Sequence, residues 1–379
     1  MRVGIIGCGN VSLNLHLPAI AAEPNIHVVA AADPTPARLE LFRQRAGLDA
    51  DACSPDAADV LARPDVEAVL VATPPRYRPP IVLAALAAGK HVLSEKPIAL
   101  TPAEGWEMAR AARSFDRRLA MVHNYYFMPD LAAVKRVLDS GAIGEPYLVI
   151  LNLLSVEDRP GAAEYRPIWR HDASMGGGGV LMDILHAVYV VAWLSSSQPI
   201  RAVSAAVDRR IGTLSDVSEV EDVALCRFEF DKGFGLVNLA WGDGPGGVEV
   251  MASEGRLLLF YRSFGTGAFE PPEQLHVFRG KERVPVEFQP DRTTPLGMQP
   301  IWRDFAESVE RGREPIAPAE QGCATLEAVL GAYASASRKR TVALPLDASD
   351  PVYYRGIAAL RGTEPGAEEV SVPNVEPVG

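Results

Sequence analysis

The sequence predicts an α/β fold with two domains: an N-terminal dinucleotide-binding domain on a parallel sheet, and a C-terminal α+β domain with a large open, mainly antiparallel sheet. Three observations support this prediction. The first 33 residues follow the order strand, glycine turn, helix, strand, acid. Apolar strands and helical segments then alternate as far as His123. From Arg201 onward the pattern changes to short strands of alternating apolar and polar residues.

A glycine turn follows the first apolar strand and precedes a helical segment. Gly7 permits a tight turn, and Gly9 has no Cβ, so a pyrophosphate can approach the backbone. The helix start beyond it, with Asn10 and Val11, presents free N–H groups and the positive end of the helix dipole. Ser12 stands where the fingerprint has a third glycine and is small enough for close packing. This context is typical of a Rossmann domain, although other doubly wound domains use such a turn only structurally.

The second strand ends on Asp33, which lies 24 positions after Gly9. An acid at this position can accept hydrogen bonds from both hydroxyls of an adenosine ribose. It also repels a 2′-phosphate, so the sequence favours NAD over NADP. Arg38 could shield such a phosphate, which leaves NADP as the alternative.

Composition limits the classes of function. The chain has 379 residues, which favours two domains over one core. Its formal net charge of −11 argues against general binding to nucleic acid or anionic membranes, and no apolar run approaches a membrane span. The strand at the very start leaves no room for a signal peptide. Four scattered cysteines are typical of reduced thiols, so we expect a cytoplasmic protein. No metal is expected, since no cluster has ligand spacing.

Further strand–helix units complete the first domain. Strands are predicted at 66–72, 91–93 and 119–122, and helices at 36–46, 81–88 and from Thr101, where Glu104 completes a capping box. Ligands of open α/β sheets bind at the carboxyl ends of the strands. Two of these ends carry polar residues, Thr73-Pro74 and Glu95-Lys96. Lys96, held there by a following proline, could polarise a substrate oxygen; a surface lysine paired with Glu95 is the alternative.

The motifs that carry a family resemblance are Gly7-Cys8-Gly9, His16-Leu17-Pro18-Ala19, Ala72-Thr73-Pro74, and Gly89-Lys90-His91-Val92 running into Glu95-Lys96-Pro97. Together they resemble the Gfo/Idh/MocA family of NAD(P)-dependent sugar and cyclitol oxidoreductases. The resemblance extends to about Leu346. It implies an NAD-binding domain over residues 1–123 and a substrate-binding and oligomerisation domain over 124–346. The proline-rich remainder, 347–379, is predicted to be an extended tail.

The resemblance favours the functional interpretation of Lys96. It also implies a set of cofactor-binding residues: Gly7, Gly9, Asn10, Val11, Asp33, Thr73, Pro74, Glu95, Lys96 and Asn124. A second set would line the substrate cleft: His16, Tyr125, Trp169, Arg170 and Arg78. Arg78 as a solvated helix-start residue is the alternative. Where the family commonly has an arginine, this chain has Tyr126.

A run of four glycines precedes an apolar helix predicted over 180–194, which contains Asp183, His186 and Tyr189. An acid and a histidine on one helix face form a plausible general-base pair, although a buried pair that only satisfies itself is equally compatible with the residues. The family places a catalytic Asp and His here, usually four residues apart, and often a second acid where Tyr189 stands. Here the two are three residues apart. Either the helix is distorted or Asp183 does not orient His186.

The predicted activity is hydride transfer between NAD and a secondary hydroxyl or ketone of a sugar, sugar derivative or cyclitol. His186 would take the hydroxyl proton and Lys96 would stabilise the alkoxide. Two alternatives remain: a redox-neutral enzyme that oxidises its substrate transiently, and a non-catalytic regulator of the same fold. The resemblance also implies a homo-oligomer, a dimer or tetramer, that pairs through the open sheet.

Overall fold

The computed structural model describes residues 1–154, 156, 168–210, 219–242, 244–261, 275–288 and 296–361. Within them, the first domain contains a six-stranded parallel sheet. Its strands are β1 (Arg2–Ile6), β2 (His27–Ala32), β3 (Cys53–Ser54), β4 (Ala68–Val71), β5 (His91–Ser94) and β6 (Leu119–Met121). Their spatial order, 3-2-1-4-5-6, is the order of a dinucleotide-binding Rossmann domain, so the predicted fold class is confirmed.

Helices connect these strands. They are α1 (Leu17–Ala21), α2 (Pro36–Ala46), α3 (Ala57–Ala62), α4 (Arg78–Ala87) and α5 (Pro102–Ser114), and α1 is preceded by one π-helical turn, Ser12–His16. After β6, the helix α6 (Pro129–Asp139) leads into the second sheet. Thr101 caps α5 as predicted, because its side chain accepts from the Glu104 N–H while the Glu104 carboxylate accepts from the Thr101 N–H. The short strand β3 and helix α3 had no clear signal in the sequence.

A second sheet contains the other nine strands of the described chain. Its strands are β7 (Pro146–Leu153), β8 (Ala202–Asp208), β9 (Val223–Glu229), β10 (Phe234–Ala240), β11 (Gly246–Ala252), β12 (Gly255–Tyr261), β13 (Leu275–Arg279), β14 (Glu282–Val284) and β15 (Val342–Ala343). The order is 14-13-12-11-7-10-9-8-15. Only the β7–β10 pair among these strands is parallel, as expected for a mainly antiparallel sheet.

The predicted helix over 180–194 is broken. It consists of α8 (Val180–Asp183) and α9 (His186–Leu194), preceded by the short α7 (Ala173–Gly176). The axes of 173–183 and 186–194 differ by 41°. The break falls between Asp183 and His186, so the shortened spacing of these two residues coincides with a distorted helix, one of the two outcomes considered from the sequence.

The chain then returns to the first domain through α10 (Met298–Arg311) and α11 (Ala319–Arg338). Helix α10 packs against α1, and α11 packs against α5 and β6. The prediction of an extended tail from residue 347 is wrong where the structure describes a helix instead. A further helix, α12 (Pro351–Arg355), follows, in which Val352 is fully buried. Residues 362–379 lie outside the described part of the chain.

Among the described residues, no single helix has the length and apolar composition needed to cross a membrane. One bent pair, 173–183 with 186–194, meets those two criteria together, and most of its side chains are buried within the protein.

A buried carboxylate fixes the start of α8. Glu221 accepts hydrogen bonds from the Gly179 N–H at 3.0 Å and the Leu181 N–H at 3.1 Å, and Tyr333 Oη donates to it at 2.6 Å. A Cβ built on Gly179 would lie 1.9 Å from the Glu221 carbonyl oxygen. The backbone at the head of α8 therefore tolerates only glycine.

Gly179→Ala should lower the free energy of unfolding by about 3 kcal/mol, because the backbone of Glu221 must move away from the new methyl group. Chemical denaturation of the two proteins measures the difference. Gly9→Ala is the matched control, since a Cβ on Gly9 meets no atom within 4 Å. Equal stability of Gly179→Ala and the wild type would contradict the close approach.

Candidate active site

The two glycines of the turn meet different demands. Gly7 has a φ of +97°, and a Cβ on it would lie 2.8 Å from the carbonyl carbon of Ala72 at the end of β4. Ser12 supports the turn by donating its hydroxyl to the Gly7 carbonyl oxygen at 2.6 Å. Gly9 has open space around it. Packing therefore requires a glycine at Gly7. A Cβ on Gly9 would meet no described protein atom.

Asp33 is fixed beside this turn. Its Oδ2 accepts from the Cys8 N–H at 2.7 Å and its Oδ1 from the Thr35 N–H at 2.8 Å. A carboxylate can accept about four hydrogen bonds, so both oxygens retain capacity for a ribose. Arg38 donates to Asn10 Oδ1 at 3.0 Å and so lies against the turn.

These residues fit a dinucleotide. The hydroxyl oxygen of Thr73, at the carboxyl end of β4, is buried and has no hydrogen-bond partner among the described residues. A buried hydroxyl without a partner is costly, and a bound ligand would remove that cost. Asn124 is partly engaged, since its amide nitrogen donates to the Leu296 carbonyl at 2.8 Å. The pyrophosphate would lie at Gly9 and the ribose at Asp33.

Three side chains hold the backbone at Lys96. Trp302 donates its indole N–H to His16 Nδ1 at 3.1 Å. An indole only donates, so Nδ1 must accept and the His16 proton must lie on Nε2, which donates to Glu95 Oε1 at 3.0 Å. The other oxygen of Glu95 accepts from the Lys96 N–H at 3.0 Å. Both nitrogens of the fully buried His16 are engaged inside the protein, which departs from its predicted contact with substrate.

Arg78 also departs from its predicted position in the substrate cleft. The side chain is 3% exposed and donates to the carbonyl oxygen of Pro97. Burial lowers the pKa of Arg78 to about 10, against the opposing charge of Glu95. The side chain therefore lies behind Lys96-Pro97 and supports that loop.

An ion pair joins the two domains at the end of β5. The Lys96 ammonium donates to Asp183 Oδ1 at 3.1 Å and to the Asp183 carbonyl oxygen at 2.5 Å. Arg170 Nε lies 3.8 Å from the same carboxylate oxygen. Burial alone would raise the pKa of Asp183, but the charges of Lys96 and Arg170 outweigh it and hold the pKa below its usual range. Asp183 is therefore an anion that keeps two cations in place.

His186 lies beside this pair, but its hydrogen-bond partner is Tyr189. Its Nδ1 is 2.8 Å from Tyr189 Oη, and its ring stacks on Tyr125 at a centroid distance of 4.3 Å. Burial lowers the pKa of His186 well below its usual value, and the charge of Lys96 lowers it further. His186 is thus neutral at physiological pH, and Asp183 is not its hydrogen-bond partner.

The structure brings most of the predicted catalytic and substrate residues together. Lys96, Asp183, His186 and Tyr125 form one cluster, joined by Arg170, whose guanidinium lies 5.2 Å from the Trp169 ring centre. Arg170 supplies a cation here, although Tyr126 stands where the family commonly has an arginine. Sequence reasoning missed Trp302, because it lies 286 positions from His16. It noted Tyr189 only because the family often has an acid at this position. No group of three potential metal ligands occurs in the described ranges.

The fold and the glycine turn are those of a dinucleotide-binding protein. Sequence models agree: residues 1–123 match the GFO_IDH_MocA oxidoreductase family with its NAD-binding Rossmann fold, and residues 131–258 match the GFO/IDH/MocA C-terminal domain. The chain belongs to the Gfo/Idh/MocA family, which confirms the resemblance seen in the sequence.

Two proteins of similar sequence are dehydrogenases by name. A 1-carboxy-3-chloro-3,4-dihydroxycyclohexa-1,5-diene dehydrogenase of Comamonas testosteroni is 29% identical over 62% of this chain and 56% of its own length. D-glucoside 3-dehydrogenase of Escherichia coli is 28% identical over 62% of this chain and 68% of its own. The matched part of this chain therefore spans little more than half to two thirds of these relatives. The crystal structure of aldose-aldose oxidoreductase from Caulobacter crescentus superposes with a TM-score of 0.78 at 24% identity, over 91% of this chain and 99% of the other, and shows the shared fold.

Gly9→Ala should weaken NAD binding at least about tenfold, equivalent to about 1.4 kcal/mol, because the methyl group occupies space needed by the pyrophosphate. Calorimetric titration with NAD⁺ measures this. Stability should stay at the wild-type level, whereas Gly7→Ala, with its positive φ, should destabilise the protein. Wild-type affinity in Gly9→Ala would place the pyrophosphate elsewhere.

His123 is a buried neutral histidine whose removal should change the pH dependence of stability. Its ring stacks on Tyr189, and burial lowers its pKa to about 3, with Lys96 lowering it and Glu95 opposing. A histidine in the unfolded chain titrates near 6.5. The contribution of His123 to the free energy of unfolding is therefore present above that pH and is lost as the pH falls.

His123→Phe should therefore reduce the loss of unfolding free energy between pH 7 and pH 5 by about 2 kcal/mol. Denaturation at both pH values tests this, with a Gln substitution at the exposed His27 as control. The same pH dependence in the wild type and His123→Phe would show that His123 takes up its proton over the same pH range in the folded and the unfolded protein.

Proposed function

We propose that this chain is an NAD-dependent dehydrogenase or reductase that acts on a secondary hydroxyl or ketone of a sugar, sugar derivative or cyclitol. The observation that carries the proposal is the Lys96–Asp183 pair with the neutral His186 beside it, at the carboxyl end of β5. Ligands of such sheets bind at that edge. The dehydrogenases of related sequence, which act on cyclic hydroxyl groups by name, support this substrate class.

NAD, bound between the glycine turn and this cluster, would supply the hydride acceptor or donor. The side chains of the protein stabilise charge on the substrate and transfer the proton. The Lys96 ammonium stabilises negative charge on the substrate oxygen, and Asp183 holds the ammonium in place. Arg170, Trp169 and Tyr125 would shape the pocket for the ring. The proton moves between the substrate oxygen and either Lys96 or His186, the two polar groups at the centre of the cluster.

The proposal also covers the oligomeric state of the protein and its cellular compartment. Three large apolar side chains are about half exposed on strands of the second sheet, at positions that alternate with the buried residues: Leu225, Phe234 and Phe260. An exposed apolar patch of this kind supports pairing with a second copy of the chain. All four cysteines are free thiols, which supports a reducing compartment such as the cytoplasm.

Lys96→Met should lower kcat/KM at least about 100-fold, because the charge that stabilises the substrate oxygen is lost. The wild type is first assayed with aldoses, glycosides and cyclitols plus NAD⁺, and with keto derivatives plus NADH. Absorbance of NADH follows turnover. Lys232→Met, at an exposed site, is the matched control and should retain full activity. NAD binding by Lys96→Met should stay within a few-fold of the wild type.

Each alternative has its own outcome. Full turnover in Lys96→Met would overturn the mechanism, and absence of NAD binding in the wild type would overturn the proposal. Product formation with retained NAD and no net NADH would indicate a redox-neutral enzyme. NAD binding without turnover on any substrate would favour a regulator.

A further inference from the structure

We infer that Tyr189 fixes the proton of the neutral His186 on Nε2, so that the site presents two hydrogen-bond donors, His186 and Lys96, to one substrate oxygen. The geometry thus makes Tyr189 a positioning residue and makes the site complementary to a carbonyl group, which is the keto form of the substrate. The inference rests on the proposed function for the identity of the ligand, but not for the position of the proton.

The hydrogen bonds of Tyr189 determine where the proton lies. Its Oη accepts from the Tyr125 backbone N–H at 3.2 Å and lies 2.8 Å from His186 Nδ1. A phenol has one proton to donate, and a buried one needs an acceptor. The Tyr125 N–H is itself a donor, so within the described chain the only acceptor for the Tyr189 hydroxyl is His186 Nδ1. That nitrogen is then unprotonated, and a neutral ring must carry its proton on Nε2.

The surroundings keep the ring neutral rather than doubly protonated. Burial is the main cause, and Lys96 and His123 act in the same direction, while Asp183 opposes them. Asp183 has its own partners, since its Oδ1 accepts from Lys96 at 3.1 Å and lies 3.8 Å from Arg170. Burial also raises the pKa of Tyr189 well above its usual value, so Tyr189 keeps its proton. No anion is therefore available to take a proton from Nδ1.

The substrate oxygen accordingly meets donors on two sides. An ammonium has three N–H donors, and two from Lys96 go to Asp183, so one remains. His186 contributes Nε2–H. A carbonyl oxygen has lone pairs and no proton, so it can accept from both. A hydroxyl would bring a proton for which neither group offers an acceptor, so the keto form should bind more tightly than the alcohol.

Lys96 is then the group that transfers the proton. In the reductive direction NADH would supply the hydride and be oxidised to NAD⁺, so that the carbonyl carbon gains a C–H bond and the C=O π pair moves to oxygen. The oxygen takes a proton from Lys96 Nζ, and solvent reprotonates the resulting amine. His186 keeps its proton and stabilises the oxyanion through a hydrogen bond, because giving it up would leave an imidazolate or a buried tyrosinate.

Nitrogen-15 NMR of the whole protein labelled at histidine tests the position of the proton. Long-range ¹H–¹⁵N spectra distinguish the two neutral tautomers, and His186→Gln identifies the His186 signals among the 7 histidines. We expect the wild type to show Nε2 protonated and Nδ1 unprotonated. Tyr189→Phe should change the His186 pattern to a mixture of tautomers or to Nδ1–H. Tyr126→Phe is the matched control, since Tyr126 packs on the same Tyr189 ring without bonding His186.

The wild-type spectrum decides the inference even if Tyr189→Phe does not fold. A proton on Nδ1 of wild-type His186, or an unchanged pattern in a folded Tyr189→Phe, would overturn it. Because these spectra need no substrate, their result is independent of the enzyme assays. A protein with the expected tautomer and no turnover would refute the proposed function alone.

Discussion

The ion pair between Lys96 and Asp183 is the constraint on which the site depends. Lys96 comes from the sheet edge of the first domain, and Asp183 from the break between two helices of the second. Neither charge is well exposed, at 16% and 17% of the side chain. A partly buried charge without its partner is strongly destabilising, so each domain completes the site of the other. The pair thereby fixes the position of the ammonium in the cleft between the domains.

Much of the fold could be predicted from local sequence. The glycine turn, the acid at Asp33 and the capping box of α5 are signals confined to a few residues, and the structure has each of them in place. The strands of the second sheet follow from period-two patterns for the same reason. Short elements such as β3 could not be predicted, because a strand of two residues shows no periodic pattern of apolar and polar residues. The end of the chain was misjudged because prolines and acids conceal a helix anchored by the buried Val352.

The site was predictable only in part, because its chemistry depends on long-range partners. The sequence indicated Lys96, Asp183 and His186, but the continuous helix predicted over 180–194 would have paired Asp183 with His186. The break redirects Asp183 to Lys96 and leaves His186 to Tyr189. His16 and Arg78 have motif positions that suggest a ligand, yet their partners, Trp302 and Pro97, engage them inside the protein. Hydrogen bonds between residues far apart in the chain leave no local pattern.

The Trp302–His16–Glu95 chain has a consequence for the order in which the protein is made. Domains fold as units while the N-terminal part of a chain emerges first from the ribosome. The first domain can form its sheet once β6 is available, but its buried His16 lacks a donor for Nδ1 until α10 has been synthesised, some 180 residues later. The segment that leads into α11 likewise completes the edge of that sheet, where Pro318 pairs with Ala120. During synthesis the loop that carries Lys96 is therefore held by fewer contacts than in the finished protein, and the domain made first acquires its final active-site geometry last.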